Sequence, residues 1–306
     1  MKRNLALILV IALVALCLSA CGSSSAPAAT AAPTEAPAAT EAPAATEAPA
    51  ATEAPAATEA PRTKLTVGAS STPHGELLEI VKPVLAEQGI DLDIVIYDDY
   101  VLPNTALQDG TLDANYFQHA PYMNSFNASH GTDLVSAGLV HYEPMGIYSK
   151  TLDKLENLAA GATILVPDDE SNQTRALLLL QQEGLIVLPE GASVDTAPSV
   201  LDIVDTKGYT VQAAQADAVP SLLVNSADGT IAVINYNYAL DAGFKTTDAL
   251  AIEDAEGNAA QTYANLVAVR RGDEDRPEIK ALVEALQDGA VDTFNENTGA
   301  GIVSIK

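Results

Sequence analysis

The hydrophobic and polar positions divide this chain into three stretches. Leu5 through Leu18 form an uninterrupted apolar run. Residues 22–61 contain no pattern that would bury one face of a helix or strand. From Arg62 onward, short apolar runs alternate with stretches that place apolar residues on one side of a helix. This alternation predicts an α/β fold that begins near residue 63.

The third stretch contains the predicted strands and helices. Strands are predicted at 65–69, 91–98, 112–117, 134–140, 162–166, 210–214, 230–234 and 265–269. Helices are predicted from Thr72 to Gly89, after Asp169, and without interruption from Pro277 to Phe294. Such alternation favours mostly parallel sheets, whose ligands bind beyond the carboxyl ends of strands or between domains.

Residues 1–21 have the pattern of a lipoprotein signal peptide. Lys2 and Arg3 precede an apolar run of 14 residues, which is shorter than the roughly 20 that a membrane span needs. The following residues 18–21 (LSAC) resemble a bacterial lipobox, in which the cysteine is acylated. An ordinary signal peptidase site fits less well, because Leu18 stands where a small residue is preferred. We therefore predict a lipid anchor on Cys21 at the extracytoplasmic face of the cell membrane.

Residues 22–62 are predicted to be a disordered linker. The hexapeptide Pro-Ala-Ala-Thr-Glu-Ala recurs in tandem from Pro37, Pro43, Pro49 and Pro55. Proline at this spacing prevents a continuous helix, and a period of six does not place apolar groups on one helical face. The segment is predicted to hold the folded part at a distance from the membrane.

Charge and cysteine content exclude several classes of function. The chain has 15 basic and 41 acidic residues, a formal net charge of −26. A nucleic-acid partner is not expected, because affinity for phosphates depends on lysine and arginine. Membrane contact is expected through the lipid anchor only, since basic patches hold proteins on anionic lipid. Cys17 and Cys21 are the only cysteines, so the folded part has no disulfide, thiolate metal site or cysteine nucleophile.

An aromatic cluster between residues 113 and 122 is a candidate ligand site. It contains Tyr116, Phe117, His119 and Tyr122, although the chain has only 14 Phe and Tyr (4 Phe and 10 Tyr) and no Trp. Strand alternation places Phe117 and His119 on one face and Tyr116 on the other. Aromatic edges suit a thioether, although a core cluster under a strand end is the competing interpretation.

Arg175 and two asparagines could bind a zwitterionic ligand. The planar guanidinium of Arg175 suits a carboxylate, but Arg175 could also be a surface residue of its helix. Asn235 and Asn237 follow a buried strand, where an amide can accept from an ammonium and donate to a carboxylate. The competing interpretation is that one of them caps the next helix.

Neither a metal site nor an enzyme is favoured by the sequence. His119 could join His74, His141 and Glu143 in a metal site, but their spacings match no compact metal motif. The chain also has no Gly-x-Ser-x-Gly elbow and no phosphate-binding glycine loop. We therefore expect no cofactor, no metal and no catalytic residue.

Five ordered blocks carry a resemblance to a known family. They are 67–74 (VGASSTPH), 113–122 (DANYFQHAPY), 143–149 (EPMGIYS), 175–180 (RALLLL) and 232–239 (AVINYNYA). In this order they resemble the NlpA lipoprotein family and its MetQ-type methionine-binding proteins of ABC importers. The resemblance implies a two-lobed periplasmic-binding-protein fold, type II-like, with two crossovers. It would combine 63–146 with 262–306 in one lobe and place 147–261 in the other.

The resemblance also implies a ligand and its contacts. Tyr100, Phe117, His119 and Tyr122 would line a pocket for the ligand side chain, Arg175 would bind its carboxylate, and Asn235 would bind its amino-acid backbone. The ligand would be methionine, in L or D form, or a related amino acid or dipeptide. The partners would be an ABC permease and its ATPase.

Two departures from the family pattern affect the second lobe, and two other functions stay open. Ala218-Val219-Pro220 stands where members usually have Gln-Leu-Pro, and 225–230 resembles a small insertion. The first alternative function is a metal or metal-chelate receptor that uses the histidines. The second is a surface lipoprotein without a transport role.

Overall fold

The computed structural model describes residues 62–254 and 258–305. The predicted signal peptide, the predicted acylation of Cys21 and the hexapeptide repeats lie outside the described residues. Within them the fold is mixed α/β with two sheets, which confirms the predicted fold class. No helix of the described part is long and apolar enough to cross a membrane.

Strands and helices alternate along most of the described chain. The strands are β1 (Thr63–Ala69), β2 (Ile90–Ile96), β3 (Ala114–His119), β4 (Leu134–Tyr142), β5 (Gly146–Ser149), β6 (Thr163–Pro167), β7 (Thr210–Ala214), β8 (Ile231–Ile234), β9 (Ala251–Ile252), β10 (Ala264–Arg270) and β11 (Val303–Ser304). The helices are α1 (Glu76–Glu87), α2 (Leu102–Gln108), α3 (Ala120–His130), α4 (Glu170–Gln182), α5 (Val219–Asn225), α6 (Tyr236–Asp241), α7 (Asn258–Thr262), α8 (Pro277–Ala285) and α9 (Val291–Thr298).

The first sheet has the strand order β11-β4-β10-β3-β1-β2, and the second has the order β7-β6-β8-β5-β9. The chain therefore passes from the first sheet to the second between Tyr142 and Gly146. It returns between Ile252 and Ala264. Consequently β10 and β11 complete a sheet that the first four strands began. Residues from both ends of the described chain share one core.

The prediction of mostly parallel sheets is wrong, because both sheets are mixed. β1 is parallel to β2 and β3, and β6 is parallel to β7 and β8. β10, however, is antiparallel to β3 and β4, β11 to β4, and β5 to β8 and β9. Three strands run against the others of their sheet, β5, β10 and β11, and the first two each follow a passage between the sheets. Helix–strand alternation carries no signal for this reversal.

Period-two patterns place the strands between helical layers. Leu65 and Val67 of β1 are fully buried and pack in the cluster that contains residues of α1, α8 and α9. In the second sheet, Ile164 and Val166 pack with α4, whereas Leu165 packs with α5 and α6 on the opposite face. Burying each such aliphatic side chain contributes roughly 1.5–3 kcal/mol to folding.

The predicted uninterrupted C-terminal helix is broken in the structure. α8 ends at Ala285, and α9 begins at Val291. Between them Asp288 and Gly289 leave the helical region, and Gly289 has a φ of 84°. Glycine adopts this left-handed conformation without a Cβ penalty, which allows the chain to change direction there. The apolar pattern continues on both sides of the break, so periodicity alone could not locate it.

Candidate ligand-binding site

A cavity lies where residues of the two sheets approach each other. Its volume is about 330 Å³, including its opening to solvent. The lining residues come from β3, α3, β10 and the segment between β2 and α2 on one side, and from α4 and the β8–α6 junction on the other. Glu143 lies between β4 and β5. They are Tyr100, Phe117, Gln118, His119, Tyr122, Glu143, Asn172, Arg175, Asn235, Tyr236, Asn237 and Asn265. A concave lining that mixes aromatic rings with a few convergent polar groups is typical of small-molecule sites.

The structure brings all six residues of the predicted ligand set to this one cavity. They are Tyr100, Phe117, His119, Tyr122, Arg175 and Asn235. They are separated by up to 135 positions in the sequence, so the fold alone assembles them. Their roles as ligand contacts stay predictions.

Three aromatic rings form an apolar corner of the cavity. The centroid of the Tyr100 ring lies 5.6 Å from that of Phe117 and 5.5 Å from that of Tyr122. Phe117 and Tyr122 are 6.1 Å apart in a T-shaped arrangement. Tyr116 lies on the opposite face of β3, buried in the core of the first sheet, as strand alternation predicts. The corner therefore offers ring edges and faces to a flexible apolar side chain.

His119 connects the aromatic corner to the polar part of the cavity. It caps the N-terminus of α3, where its Nδ1 accepts a hydrogen bond of 3.2 Å from the backbone N–H of Tyr122. Its Nε2 then carries the proton and donates to Oδ1 of Asn172 at 3.2 Å. Burial, with a smaller contribution from the charge of Arg175, lowers the pKa of His119 to about 3. The imidazole is therefore neutral near pH 7.

Arg175 is buried in the second turn of α4 and is already paired with a carboxylate. Its Nε donates to both carboxylate oxygens of Glu253, at 3.0 and 2.9 Å, and one terminal nitrogen also contacts Glu253. The same terminal nitrogen donates to the carbonyl of Glu143 at 2.7 Å. The guanidinium lies over the ring of Tyr263, 4.4 Å from its centroid. The interpretation of Arg175 as a surface residue is wrong.

The charges of the cavity depend on these contacts. Burial disfavours the charge of Arg175, but Glu253 outweighs this effect and raises the pKa of the guanidinium. Burial also acts against the charge of Glu253, yet Arg175 holds the pKa of that carboxyl below its usual value. Burial raises the pKa of Glu143, which has no comparable ion pair with a lysine or arginine among the described residues. Glu143 is instead held by Nε2 of His141, 2.7 Å from its Oε1.

Two buried amide atoms at the cavity have no hydrogen-bond partner within the described protein. They are Oδ1 of Asn235 and Nδ2 of Asn237. Asn235 precedes α6, but its side chain does not cap this helix. Instead its Nδ2 donates to Oδ1 of Asn172 at 2.8 Å. The cavity thus presents one unpaired acceptor and one unpaired donor, which is what the two ends of an amino acid need.

The four residues considered above for a metal site fall into two groups in the structure. His74, His141 and Glu143 are buried together, and one ligand atom from each lies within 4.8 Å of the other two. His119 bonds to Asn172 instead and is outside this group. The spacing in the sequence could not reveal this cluster, because its residues lie on separate elements. His74 precedes α1, His141 lies near the end of β4, and Glu143 follows β4.

Several cavity residues did not emerge from the sequence as ligand residues. Gln118 lies in the quoted block 113–122 but received no role there, and Asn265 lies between apolar residues of β10 and belongs to no motif. Glu143 belongs to one of the five quoted blocks and was weighed only as a metal ligand. Glu253, which holds Arg175, follows β9 and has no signal at all.

The two departures from the family pattern do not reach the cavity lining. Residues 218–220 begin α5, and 225–230 connect α5 to β8. None of them is among the residues that line the cavity. Val219 instead packs in the cluster that also contains Tyr238, against which Tyr100 packs. The departures can therefore affect the cavity only indirectly, by changing the packing of residues behind its lining.

Comparisons with known proteins agree with this arrangement. The model of the NlpA lipoprotein family matches residues 65–304. A relative from Bacillus subtilis, named methionine-binding lipoprotein MetQ, is 37% identical over 246 residues, which is 79% of this chain and 88% of the relative. The D-methionine-binding lipoprotein MetQ of Escherichia coli is 36% identical over 230 residues, 74% of this chain and 82% of the relative.

A solved structure is similar over the same region. It is a nutrient binding protein from Burkholderia cenocepacia bound to methionine. The TM-score is 0.73 at 39% identity, and the match covers 79% of this chain and 100% of the other. The residues that the family model matches, 65–304, contain the lining of the cavity.

Proposed function

The chain belongs to the NlpA lipoprotein family, and we propose that it is an extracytoplasmic solute-binding lipoprotein that captures methionine or a close analogue. It delivers this ligand to an ABC importer, formed by a permease and its ATPase. The observation that carries the proposal is the composition of one cavity. Aromatic rings lie at one end, and a buried guanidinium and two unpaired amide atoms lie at the other.

In this proposal each part of a free amino acid meets a different part of the lining. The thioether lies in the corner of Tyr100, Phe117 and Tyr122, where sulfur–ring contacts contribute about 0.3–1.5 kcal/mol each. The ligand carboxylate accepts from Nδ2 of Asn237 and from the guanidinium of Arg175. Its ammonium donates to Oδ1 of Asn235, beside the carboxylate of Glu143. Each unpaired atom of the cavity then gains a partner.

The same geometry supports closure of two lobes on the ligand. In this proposal one lobe consists of 63–146 and 262–306, and the other of 147–261. A ligand held by rings of the first lobe and amides of the second binds the closed form more tightly than the open form. This difference in affinity stabilises the closed form. The permease would recognise the closed form. The ligand is released unchanged, so no catalytic residue and no cofactor is needed.

A lipid anchor on Cys21 would keep the protein at the extracytoplasmic face of the membrane. The names of the relatives as lipoproteins and the lipobox-like residues 18–21 support this location. Cys21→Ala should release the protein from the membrane fraction, whereas Cys17→Ala should leave it bound. Equal membrane retention of both variants would contradict anchoring through Cys21.

Mass spectrometry of the small molecule that co-purifies with the chain tests the proposed ligand. The protein is purified without added amino acids, denatured gently, and the released molecules are identified. We expect methionine or a methionine-containing analogue in stoichiometric amount from the wild type and much less from Arg175→Ala. Release of a chemically unrelated compound, with no bound amino acid, would contradict the proposal.

A further inference from the structure

Three buried side chains beside the cavity converge on one point. Nε2 of His141 lies 2.7 Å from Oε1 of Glu143, and Nε2 of His74 lies 3.4 Å from the same oxygen. Both histidines are completely buried, and Glu143 is 6% exposed. We propose that this His-Glu cluster (His74, His141 and Glu143) binds one divalent transition-metal ion of the zinc type.

The two distances between a histidine and Glu143 are close to those of a tetrahedral zinc site. Zinc bonds to imidazole nitrogen and carboxylate oxygen are about 2.0–2.2 Å long, so neighbouring tetrahedral donors lie about 3.3 Å apart. The separation of His74 and Glu143 already has this value, and that of His141 and Glu143 needs to widen by about half an ångström. A water molecule or Oδ1 of Asn265, 3.1 Å from Nε2 of His74, can complete four ligands.

The outer ring nitrogens have the partners that metal-binding histidines require. Nδ1 of His74 lies 3.1 Å from Oγ of Ser70, and Nδ1 of His141 lies 2.5 Å from the hydroxyl of Tyr116. When Nε2 binds a metal, Nδ1 carries the proton, and both hydroxyl oxygens can accept it. Such hydrogen bonds fix the tautomer and the orientation of each ring.

The charges of the neighbouring groups also favour a cation at this position. Arg175 pairs with Glu253 and reaches only the backbone carbonyl of Glu143, so the carboxylate of Glu143 has no ion pair with a lysine or arginine among the described residues. A divalent ion would supply a positive charge beside it. Glu143 and Asn265 also line the cavity, which gives the ion a path of entry.

The site is tested by titrating the full chain with zinc after a chelator has removed any bound metal. No amino acid is added, and an excess of Mg²⁺ occupies the exposed carboxylates. We expect one tightly bound Zn²⁺ per chain. Glu143→Gln and His141→Gln should each abolish tight binding, and Tyr116→Phe should weaken it by about 10–100-fold. His130→Gln, which alters an exposed histidine outside the cluster, should bind as the wild type does.

The proposal is overturned if the wild type retains no more zinc than the His74→Gln/His141→Gln double variant does. The cluster is then a hydrogen-bonded network without a metal. Equal losses in His130→Gln would also overturn it. Co²⁺ bound to the wild type supplies a readout that does not depend on the folding of variants. An intense visible spectrum of four-coordinate cobalt is expected, whereas the weak spectrum of six-coordinate cobalt would contradict the site. Failure of methionine binding alters none of these results, because no amino acid is present.

Discussion

The hydroxyl of Tyr100 donates a hydrogen bond of 2.6 Å to Oδ1 of Asn237, and this bond joins the segment after β2 to α6 beside the second sheet. The Tyr100 ring also lies against Tyr238, with centroids 4.7 Å apart. Because Oδ1 of Asn237 is occupied, its Nδ2 is the end of the amide that is left for another acceptor. Tyr100 thus both lines the cavity and orients a polar group in it.

Tyr100→Phe should weaken ligand binding while it keeps the aromatic corner intact. The lost hydrogen bond is expected to lower affinity by about two- to tenfold, since one such bond contributes about 0.5–1.5 kcal/mol. Calorimetric titration with methionine measures the change. Tyr97→Phe is the matched control, because Tyr97 is nearby but does not line the cavity. Equal losses in both variants would show that the Tyr100 hydroxyl has no specific role.

Arg175→Ala should reduce methionine affinity by about 2–5 kcal/mol and also destabilise the fold. The first effect follows from the loss of the cation at the ligand carboxylate. The second arises because Glu253 would remain buried without its partner. Titration calorimetry measures affinity, and chemical denaturation measures the free energy of unfolding.

The double variant Arg175→Ala/Glu253→Gln separates these two effects. Removal of the unpaired charge should restore part of the stability, whereas affinity should stay low. If affinity also recovers, Arg175 serves only to neutralise Glu253, and its contact with the ligand carboxylate is refuted.

Phe117→Leu should reduce the preference for methionine over norleucine. The two ligands have similar shapes, but only methionine has a sulfur atom that gains from ring contacts, about 0.3–1.5 kcal/mol for each ring. Competition calorimetry with both ligands gives the preference in the wild type and in the variant. An unchanged preference would place the ligand side chain outside the corner of Tyr100, Phe117 and Tyr122.

His119 should make the ligand-free fold less stable in acid. Its pKa in the fold is lowered to about 3, chiefly by burial, whereas an unfolded histidine titrates near about 6.5. Between these values the unfolded chain binds a proton that the fold does not. The free energy of unfolding therefore falls as the pH falls, by about 1.4 kcal/mol per pH unit from this residue.

Urea denaturation of the wild type and of His119→Gln tests this dependence. The slope of stability against pH should be smaller in the variant by about 1.4 kcal/mol per unit between about pH 4 and 6. Above about pH 7.5 the two curves should run parallel, because residue 119 is neutral in both states there. Parallel curves over the whole range would show that His119 can be protonated inside the fold.

Local patterns were sufficient to predict the parts of the fold that depend on neighbouring residues. Strand alternation separated Tyr116, in the core, from Phe117, at the cavity. The apolar face of α1, including Leu77 and Val81, is buried as its spacing predicts. The break at Gly289 was not predicted, because the apolar spacing continues on both sides of it and a single glycine is tolerated in many helices.

Contacts between distant segments were beyond sequence reasoning. The partner of Arg175 is Glu253, 78 positions away, and no local pattern links them. His74 and Asn265 are 191 positions apart, and they meet only because β10 returns to the first sheet. Family resemblance supplied the six predicted ligand residues, but it did not supply the carboxylates that surround them.

Titration calorimetry of the ligand-free chain with L-methionine tests the central claim most directly. Bound molecules are first removed by unfolding and refolding, and D-methionine, methionyl dipeptides and other amino acids are titrated in parallel. The account predicts saturable binding of one methionine or close analogue per chain, weakened by Arg175→Ala. No heat with any amino acid or dipeptide, from a refolded chain whose circular dichroism matches that of the untreated protein, would contradict it.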